Sequence, residues 1–339
     1  MRAKKRILIP SALAVAVLAG VIAFTASPVP ASLLMRRMFE KPSLAAPEGF
    51  DAMEASVEVH RDLEYPSVFG DNYLDLYLPK SAAGALPVVL WIHGGAYVGG
   101  DKSDIRYYAA ALASEGYAVV SMNYARAPEA RYPAPLVQMG EVIAWISAGA
   151  EEYAIDPSRI VLAGDSAGAH CAALFALAHS NPSYAEMNAV EPSVPPENIR
   201  GLLLYCGPYN VKTTYEISGL FGAMIRKAGW AFFGDPEWGL TYEEQLSVKD
   251  HLTAAFPPAF VTDSSHQSFA QQGMELVDAM ETAGVDVTGY FPEAEFEKTS
   301  HEYQFRMDTP AGAECYRRTV EFLADVMRDQ FFGCGLTGK

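Results

Sequence analysis

Apolar runs rich in β-branched residues recur along the chain, and stretches patterned for helix separate them. "LPVVLWIHGG" (86–95) is continuous until two glycines stop it, as in a strand covered on both faces. "YAVVSMNY" (117–124), "RIVLAG" (159–164), "GLLLYCG" (201–207), "PAFVTD" (258–263) and "VDVTGYF" (285–291) repeat the theme. "YLDLYLP" (73–79) alternates leucine with polar or aromatic residues and reads as a half-exposed strand. Helical spacing appears from Ile105 to Glu115, at Met139, Ile143 and Ile146, after Ser166, at Phe269, Gly273, Leu276 and Met280, and at Tyr316, Val320, Leu323 and Met327. Strands joined through helices need right-handed crossovers, which gives a doubly wound, mainly parallel sheet with helices on both faces. The expected fold class is therefore α/β.

Between Tyr209 and about Leu246 the alternation stops. This insert (209–246) carries Tyr209, Tyr215, Phe221, Trp230, Phe232, Phe233, Trp238 and Tyr242. A long connection at the carboxyl edge of a parallel sheet is placed to line or cap a site. A packing subdomain without ligand contact is the alternative.

The segment "RIVLAGDSAGAHCAAL" (159–174) sets Ser166 between Gly164 and Gly168, where a buried strand meets a helix. To lift a serine clear of a sheet, strand and helix must nearly touch, leaving no room for side chains at 164 and 168. The second motif, "HGGAYVGG" (93–100), follows the first long buried strand. Its glycines let the N–H groups of Gly94 and Gly95 face a cavity, with that of Ala167 converging from the serine turn. Three such donors would form an oxyanion hole.

Together these motifs resemble the α/β-hydrolase fold, in particular the hormone-sensitive-lipase-like esterases of bacterial family IV type, which pair an HGG loop with a GDSAG elbow. "NYARAPEARYPAPLVQ" (123–138) is similar to that family's segment after the fourth strand, and "IDPSRIVLAGDSAG" (155–168) to its approach to the nucleophile. The likeness runs over roughly residues 60–330. It implies a serine carboxylester hydrolase that works with no metal and no organic cofactor.

A serine hydroxyl is a weak nucleophile until a base takes its proton, and the order in α/β-hydrolases is serine, acid, histidine. Of seven histidines, His301 in "TSHEYQF" follows the last strand and is the expected base. His93 is expected to brace the glycine loop, and His170 matches a structural position of the family. His60, His179 and His251 stand outside the expected loops, and His266 opens a helix. The resemblance places the acid several residues beyond "PAFVTD", where this chain has Gln267. The nearest carboxylate, Asp263, is the expected acid; a turn or helix-capping role is its alternative. Glu302 is adjacent to the base, but its side chain is expected to diverge from Nδ1.

The first residues read differently. Arg2, Lys4, Lys5 and Arg6 precede an uncharged run from Ile7 to Phe24 and then "TASPVPAS", the form of a translocation signal. The run lies between a long signal core and a short membrane span in length. Residues 1–31 are expected to form an uncleaved anchor and linker, with a cleaved signal ending near Val29 and Ala31 as the alternative. Residues 25 to about 55 look linker-like, and residues 32–339 form the hydrolase domain. The positive-inside rule leaves that body extracytoplasmic, attached to the membrane. Against 41 acidic residues it holds 21 basic ones, and a body this acidic repels phosphate backbones, which excludes nucleic acid as a partner.

Four cysteines are too few and too irregular for a disulfide scaffold or zinc site. Cys171 and Cys206 fall in apolar runs and read as small buried hydrophobes, whereas Cys315 and Cys334 could pair. The expected activity is hydrolysis of a small-molecule ester with a short to medium acyl group. An amide-cleaving enzyme of arylformamidase or peptidase type is an alternative, and a non-catalytic binding protein on the same scaffold, suggested by the displaced acid, is another.

Overall fold

A computed structural model describes residues 5–39, 46–47, 49–82, 84–188 and 190–328. The apolar runs pair into one sheet of eight strands: β1 (Val57–Glu64), β2 (Tyr73–Pro79), β3 (Leu86–Ile92), β4 (Ala118–Met122), β5 (Ile155–Asp165), β6 (Ile199–Tyr205), β7 (Ala259–Thr262) and β8 (Val287–Tyr290). Their spatial order is β1-β2-β4-β3-β5-β6-β7-β8. Only β2 runs against its neighbours; every pair from β4 across to β8 is parallel.

The helices are α1 (Lys5–Ala26), α2 (Val29–Phe39), α3 (Phe50–Ser56), α4 (Arg106–Ser114), α5 (Ala134–Ala148), α6 (Ala167–Ser180), α7 (Pro182–Asn188), α8 (Val211–Tyr215), α9 (Gly219–Phe233), α10 (Trp238–Thr241), α11 (Glu243–Leu246), α12 (Ala270–Thr282) and α13 (Pro310–Val326). Along β3 the pleat sends Val88, Leu90 and Ile92 into a core shared with α5, α6 and α12, and Val89 and Trp91 into one shared with α3, α4 and α13. All five are fully buried. Covering both faces removes any polar alternation, which is why these strands read as unbroken apolar runs.

The same covering corrects the expectation for β2. Residues Leu74 to Tyr77 are all buried, including Asp75. Its carboxylate accepts from Lys102 Nζ at 2.7 Å and from the Asp62 N–H at 2.9 Å. A buried ion pair thus occupies a position that alternation alone assigns to water. The expected partner of Cys315, Cys334, lies outside the described residues, while Cys171, Cys206 and Cys315 are all buried.

Residues 25–55 are more structured than their composition suggests. Helix α2 packs on α9 with Ala31, Ser32 and Met35 buried. Arg36 locks it to the body: Nε donates to Val98 O and Nη2 to Ala127 O, both at 2.7 Å, and the guanidinium grips Glu129 through two bonds of 2.9 and 2.6 Å. Among the described residues no single helix is long and apolar enough to cross a membrane. By length and composition the bent pair Leu13–Ala26 and Val29–Phe39, meeting at 87°, passes the same test.

Helices α8–α11 form the insert over the carboxyl ends of the strands. Most of its aromatics fasten it down. Phe232 stacks on Tyr97 of the glycine loop with centroids 4.2 Å apart, and Phe233 stacks on Trp238 at 5.2 Å.

Charge-assisted bonds to buried carbonyls contribute about 1.5–3 kcal/mol each, whereas the exposed half of the Arg36–Glu129 pair adds little. Arg36→Ala should therefore release α2 before the sheet opens. Hydrogen exchange over residues 29–39 is expected to speed up at least roughly tenfold, with protection of β3 and β5 unchanged.

Candidate active site

Strand β5 ends at Asp165 and α6 begins at Ala167, so the whole reversal falls on Ser166, with φ 50° and ψ −120°. That conformation is strained for a residue with a side chain, at a cost on the order of 1–3 kcal/mol. The two glycines make it possible. A Cβ at Gly164 would lie 2.5 Å from the Gly168 carbonyl carbon, and one at Gly168 would lie 2.0 Å from Ile92 O. The Ser166 N–H donates to Tyr205 O at 2.8 Å, tying the turn to β6.

His301 comes from the loop after β8, and its Nε2 lies 3.1 Å from Ser166 Oγ, across 135 residues of sequence. Its other nitrogen, Nδ1, does not meet the expected acid. Ser268 Oγ occupies that position at 2.7 Å, and the edge of Phe269 packs on the ring. Desolvation pulls the His301 pKa below its ordinary 6.5, opposed by the charge of Asp263.

Asp263 sits where β7 ends, buried, with Oδ1 accepting the Ser264 N–H at 2.6 Å. Its Oδ2 is buried without a hydrogen-bond partner among the described residues. Burial raises its pKa; the Ser268 hydroxyl, the His301 ring and the Ser264 N–H each oppose the rise. The expected acid thus lies near the base, with Ser268 Oγ rather than its carboxylate at hydrogen-bond distance from Nδ1. The chain leaves β7 through a loop in which Gln267 adopts φ 52°, and this loop turns Ser268, rather than a carboxylate, onto the ring.

Atoms of Cys206, Asp263 and His301 able to ligate a metal lie within 4.8 Å of one another. Burial keeps the Cys206 thiol protonated, its pKa well above the ordinary value, and serines occupy both nitrogens of His301.

Of the three expected oxyanion donors, Gly94 is already engaged. Its N–H donates to Asp165 Oδ2 at 2.8 Å, while Trp91 Nε1 donates to Asp165 Oδ1 at 2.8 Å. The carboxylate of the GDSAG motif points back beneath the glycine loop and consumes that amide. Neither the Gly95 nor the Ala167 N–H makes a hydrogen bond among the described residues, and both residues border cavities that contain Ser166.

The remaining histidines of the motifs hold the frame. His93 Nδ1 donates to Gly94 O at 2.7 Å and its ring stacks on Tyr124. His170 Nε2 donates to Leu246 O at 2.9 Å, and Nδ1 accepts from the Tyr97 hydroxyl at 2.8 Å, which joins α6, the insert and the glycine loop. Desolvation pushes both pKa values down to about 4.

A cavity of about 300 Å³ opens over Ser166 and His301, walled by Met38 and Phe39 of α2, Phe221 and Ile225 of α9, and Phe269 and Phe305. Asp104, Asp165 and Glu302 form its acidic side. Desolvation lifts the pKa of Asp104 and Glu302 to about 6, and that of Asp165 rises through desolvation and the nearby Glu302 charge. Glu302 Oε1 lies 3.7 Å from His301 Nε2, on the side away from Nδ1, as anticipated. A narrower recess of about 30 Å³ on the other side of Ser166 is lined by Ala167, Val211, Ala228 and Trp238.

The BD-FAE family model matches residues 74–275, a span that includes the glycine loop, the elbow, the insert and the Asp263–Ser268 loop. The chain belongs to the BD-FAE family. This BD-FAE chain is 34% identical over 125 residues to the esterase LipQ of Mycobacterium tuberculosis, covering 36% of its own length and 30% of that relative. It is 25% identical over 282 residues to the probable carboxylic ester hydrolase LipM of the same organism, covering 80% of its own length and 62% of LipM. It thus spans less than two thirds of either protein. Its fold is that of esterase B from Lactobacillus rhamnosis, with a TM-score of 0.72 at 22% identity over 92% of this chain and 95% of that one.

A base works only while neutral, and the His301 pKa lies below 6.5. Activity that depends on it should decline with unit slope on the acid side, with a midpoint below pH 6.5. Measuring kcat/KM from pH 8 to pH 4 checks both the position and the sign of that limb.

Proposed function

We propose that this BD-FAE family member is a serine carboxylester hydrolase acting on short to medium acyl esters. The observation that carries the reading is the 3.1 Å approach of His301 Nε2 to Ser166 Oγ, beside the Gly95 and Ala167 amides, which make no hydrogen bond among the described residues. His301 takes the Ser166 proton as Oγ attacks the ester carbonyl. The Gly95 and Ala167 N–H groups receive the developing oxyanion, with Gly94 supporting the loop through Asp165. Protonated His301 then releases the alcohol, and water hydrolyses the acyl-serine by the reverse path. Asp263 supplies the negative charge behind the ring.

The two cavities support a division of labour. The small recess beside Ala167 suits a short acyl group, and the larger one, with its aromatic wall, suits the alcohol. Carboxylates on the larger cavity's rim disfavour anionic esters. The basic start, the apolar run Ile7–Phe24 and the exposed Leu13, Val15, Val17 and Leu18 of α1 support an N-terminal membrane anchor with an extracytoplasmic body.

Hydrolysis of p-nitrophenyl esters tests the chemistry. Acetate and butyrate esters should be turned over and Ser166 labelled by a fluorophosphonate, while Ser166→Ala and His301→Ala each lose at least roughly a thousandfold in kcat. Turnover of anilides but not esters would favour the amide-cleaving alternative, and an inert Ser166 would favour a binding protein. For the anchor, the full chain should sediment with membranes after an alkaline wash, and a chain starting at Thr25 should stay in the supernatant.

A further inference from the structure

Both serines that touch His301 can either give or accept a proton, so nothing in those two contacts alone selects the imidazole tautomer. Only the form with its proton on Nδ1 leaves Nε2 free to accept from Ser166. The choice must be made behind the ring. There the Ser268 hydroxyl lies 2.7 Å from Nδ1, and a carboxylate oxygen of Asp263 stands within 4.8 Å of a ring nitrogen of His301. A carboxylate accepts and never donates when ionised, and Asp263 Oδ2 is buried with no hydrogen-bond partner among the described residues, an acceptor in need of a donor.

Resting on the esterase reading, we propose that Ser268 is a positioning residue that links His301 to Asp263, so that the catalytic machinery is a four-member series, Ser166, His301, Ser268, Asp263. The Ser268 proton is directed to Asp263, its lone pair accepts the Nδ1 proton, and Nε2 is left unprotonated towards Ser166. When the ring gains the Ser166 proton, the Nδ1 proton stays in place, and the charge is balanced by the carboxylate through one intervening hydroxyl. The other titratable groups facing the ring are Cys206 at the end of β6 and Glu302, 3.7 Å from Nε2. Asp165 and Asp104 act on Glu302 from behind.

A series and two independent contributions behave differently under double substitution. The test measures kcat/KM with p-nitrophenyl acetate for Ser268→Ala, Asp263→Asn, the double variant and Ser268→Asp in the full chain. Each single change should cost roughly a hundredfold or more through loss of tautomer control. The double variant should be no worse than Ser268→Ala, and Ser268→Asp should recover to within about tenfold of the parent because a carboxylate then meets Nδ1 directly. Its acid limb should shift to higher pH and that of Asp263→Asn to lower pH, a pair of movements that packing damage does not produce. Independently of turnover, NMR of the parent should show the His301 proton on Nδ1, and Ser268→Ala should lose that preference. Multiplying single effects, or a Ser268→Ala variant with unchanged rate and pH profile, overturns the series. Fluorophosphonate labelling separates the two levels: a parent chain that labels and hydrolyses while Ser268→Ala matches it sinks only the series, whereas an inert parent sinks the esterase reading and the series together.

Discussion

The contact between β3 and the first turn of α6 sets the geometry of everything above it. Gly168 has the Ile92 carbonyl where a Cβ would go, and Gly164 has Gly168 in the same relation. This approach compresses the reversal onto a single residue and forces Ser166 into a conformation that other side-chain-bearing residues avoid. The cost is met by the large, fully buried sheet around it, in which β3, β5 and β6 have no solvent-facing side. Stored strain needs a rigid surrounding, and here the same strands that supply rigidity also aim the hydroxyl. The glycine loop follows β3 directly, so the donors of Gly95 and Ala167 are positioned from two ends of one tight contact.

Buried acidity gives the site its second character. Asp165 is spent on Gly94 and Trp91, Glu302 crowds it from the adjacent loop, and Asp104 lines the same cavity. These groups compete for the same few donors in a poorly solvated space, which lifts their pKa values and leaves part of the cluster protonated in mildly acid solution. A protonated Glu302 can share a hydrogen bond with Asp165 instead of repelling it. The glycine loop is thereby pinned by a carboxylate on the cavity's acidic side, held by the Trp91 and Gly94 bonds.

Much of this was readable in the chain, and what was missed has physical reasons. Apolar runs marked β3–β7 because burial on both faces erases polar alternation, whereas β8, with Thr288 and Gly289 exposed, was marked by its β-branched and aromatic residues. The rule failed at Asp75, whose polarity is satisfied by Lys102 rather than water, a pairing between distant positions that no local pattern encodes. Ser166 and His301 were marked by steric need and by order along the chain. The engagement of the Gly94 amide had no local signal, since the fate of one amide depends on where Asp165 turns. The pocket wall from Met38 and Phe39 was hidden in a segment whose composition resembles a linker, because Arg36 makes its decisive bonds to backbone carbonyls and those have no sequence signature.

Ser268 illustrates the limit most clearly. Gln267 announces that a carboxylate is missing where the resemblance puts one, and Asp263 is the nearest replacement, but a strand end and a loop tip are not interchangeable positions. A carboxylate fixed at the end of β7 cannot follow the His301 ring, because the sheet holds its Cα and the Ser264 N–H holds its Oδ1. A hydroxyl on the loop can. Interposing a small group that both accepts and donates turns a rigid, misplaced charge into a usable one, at the expense of distance: Coulomb stabilisation of the imidazolium falls with separation, and burial of Asp263 raises the effective strength of what remains. The arrangement keeps orientation, which requires only a directed hydrogen bond, while giving up part of the field, which requires proximity. Orientation is the larger need in a site where both neighbours of the base are hydroxyls and the wrong tautomer would be equally well bonded.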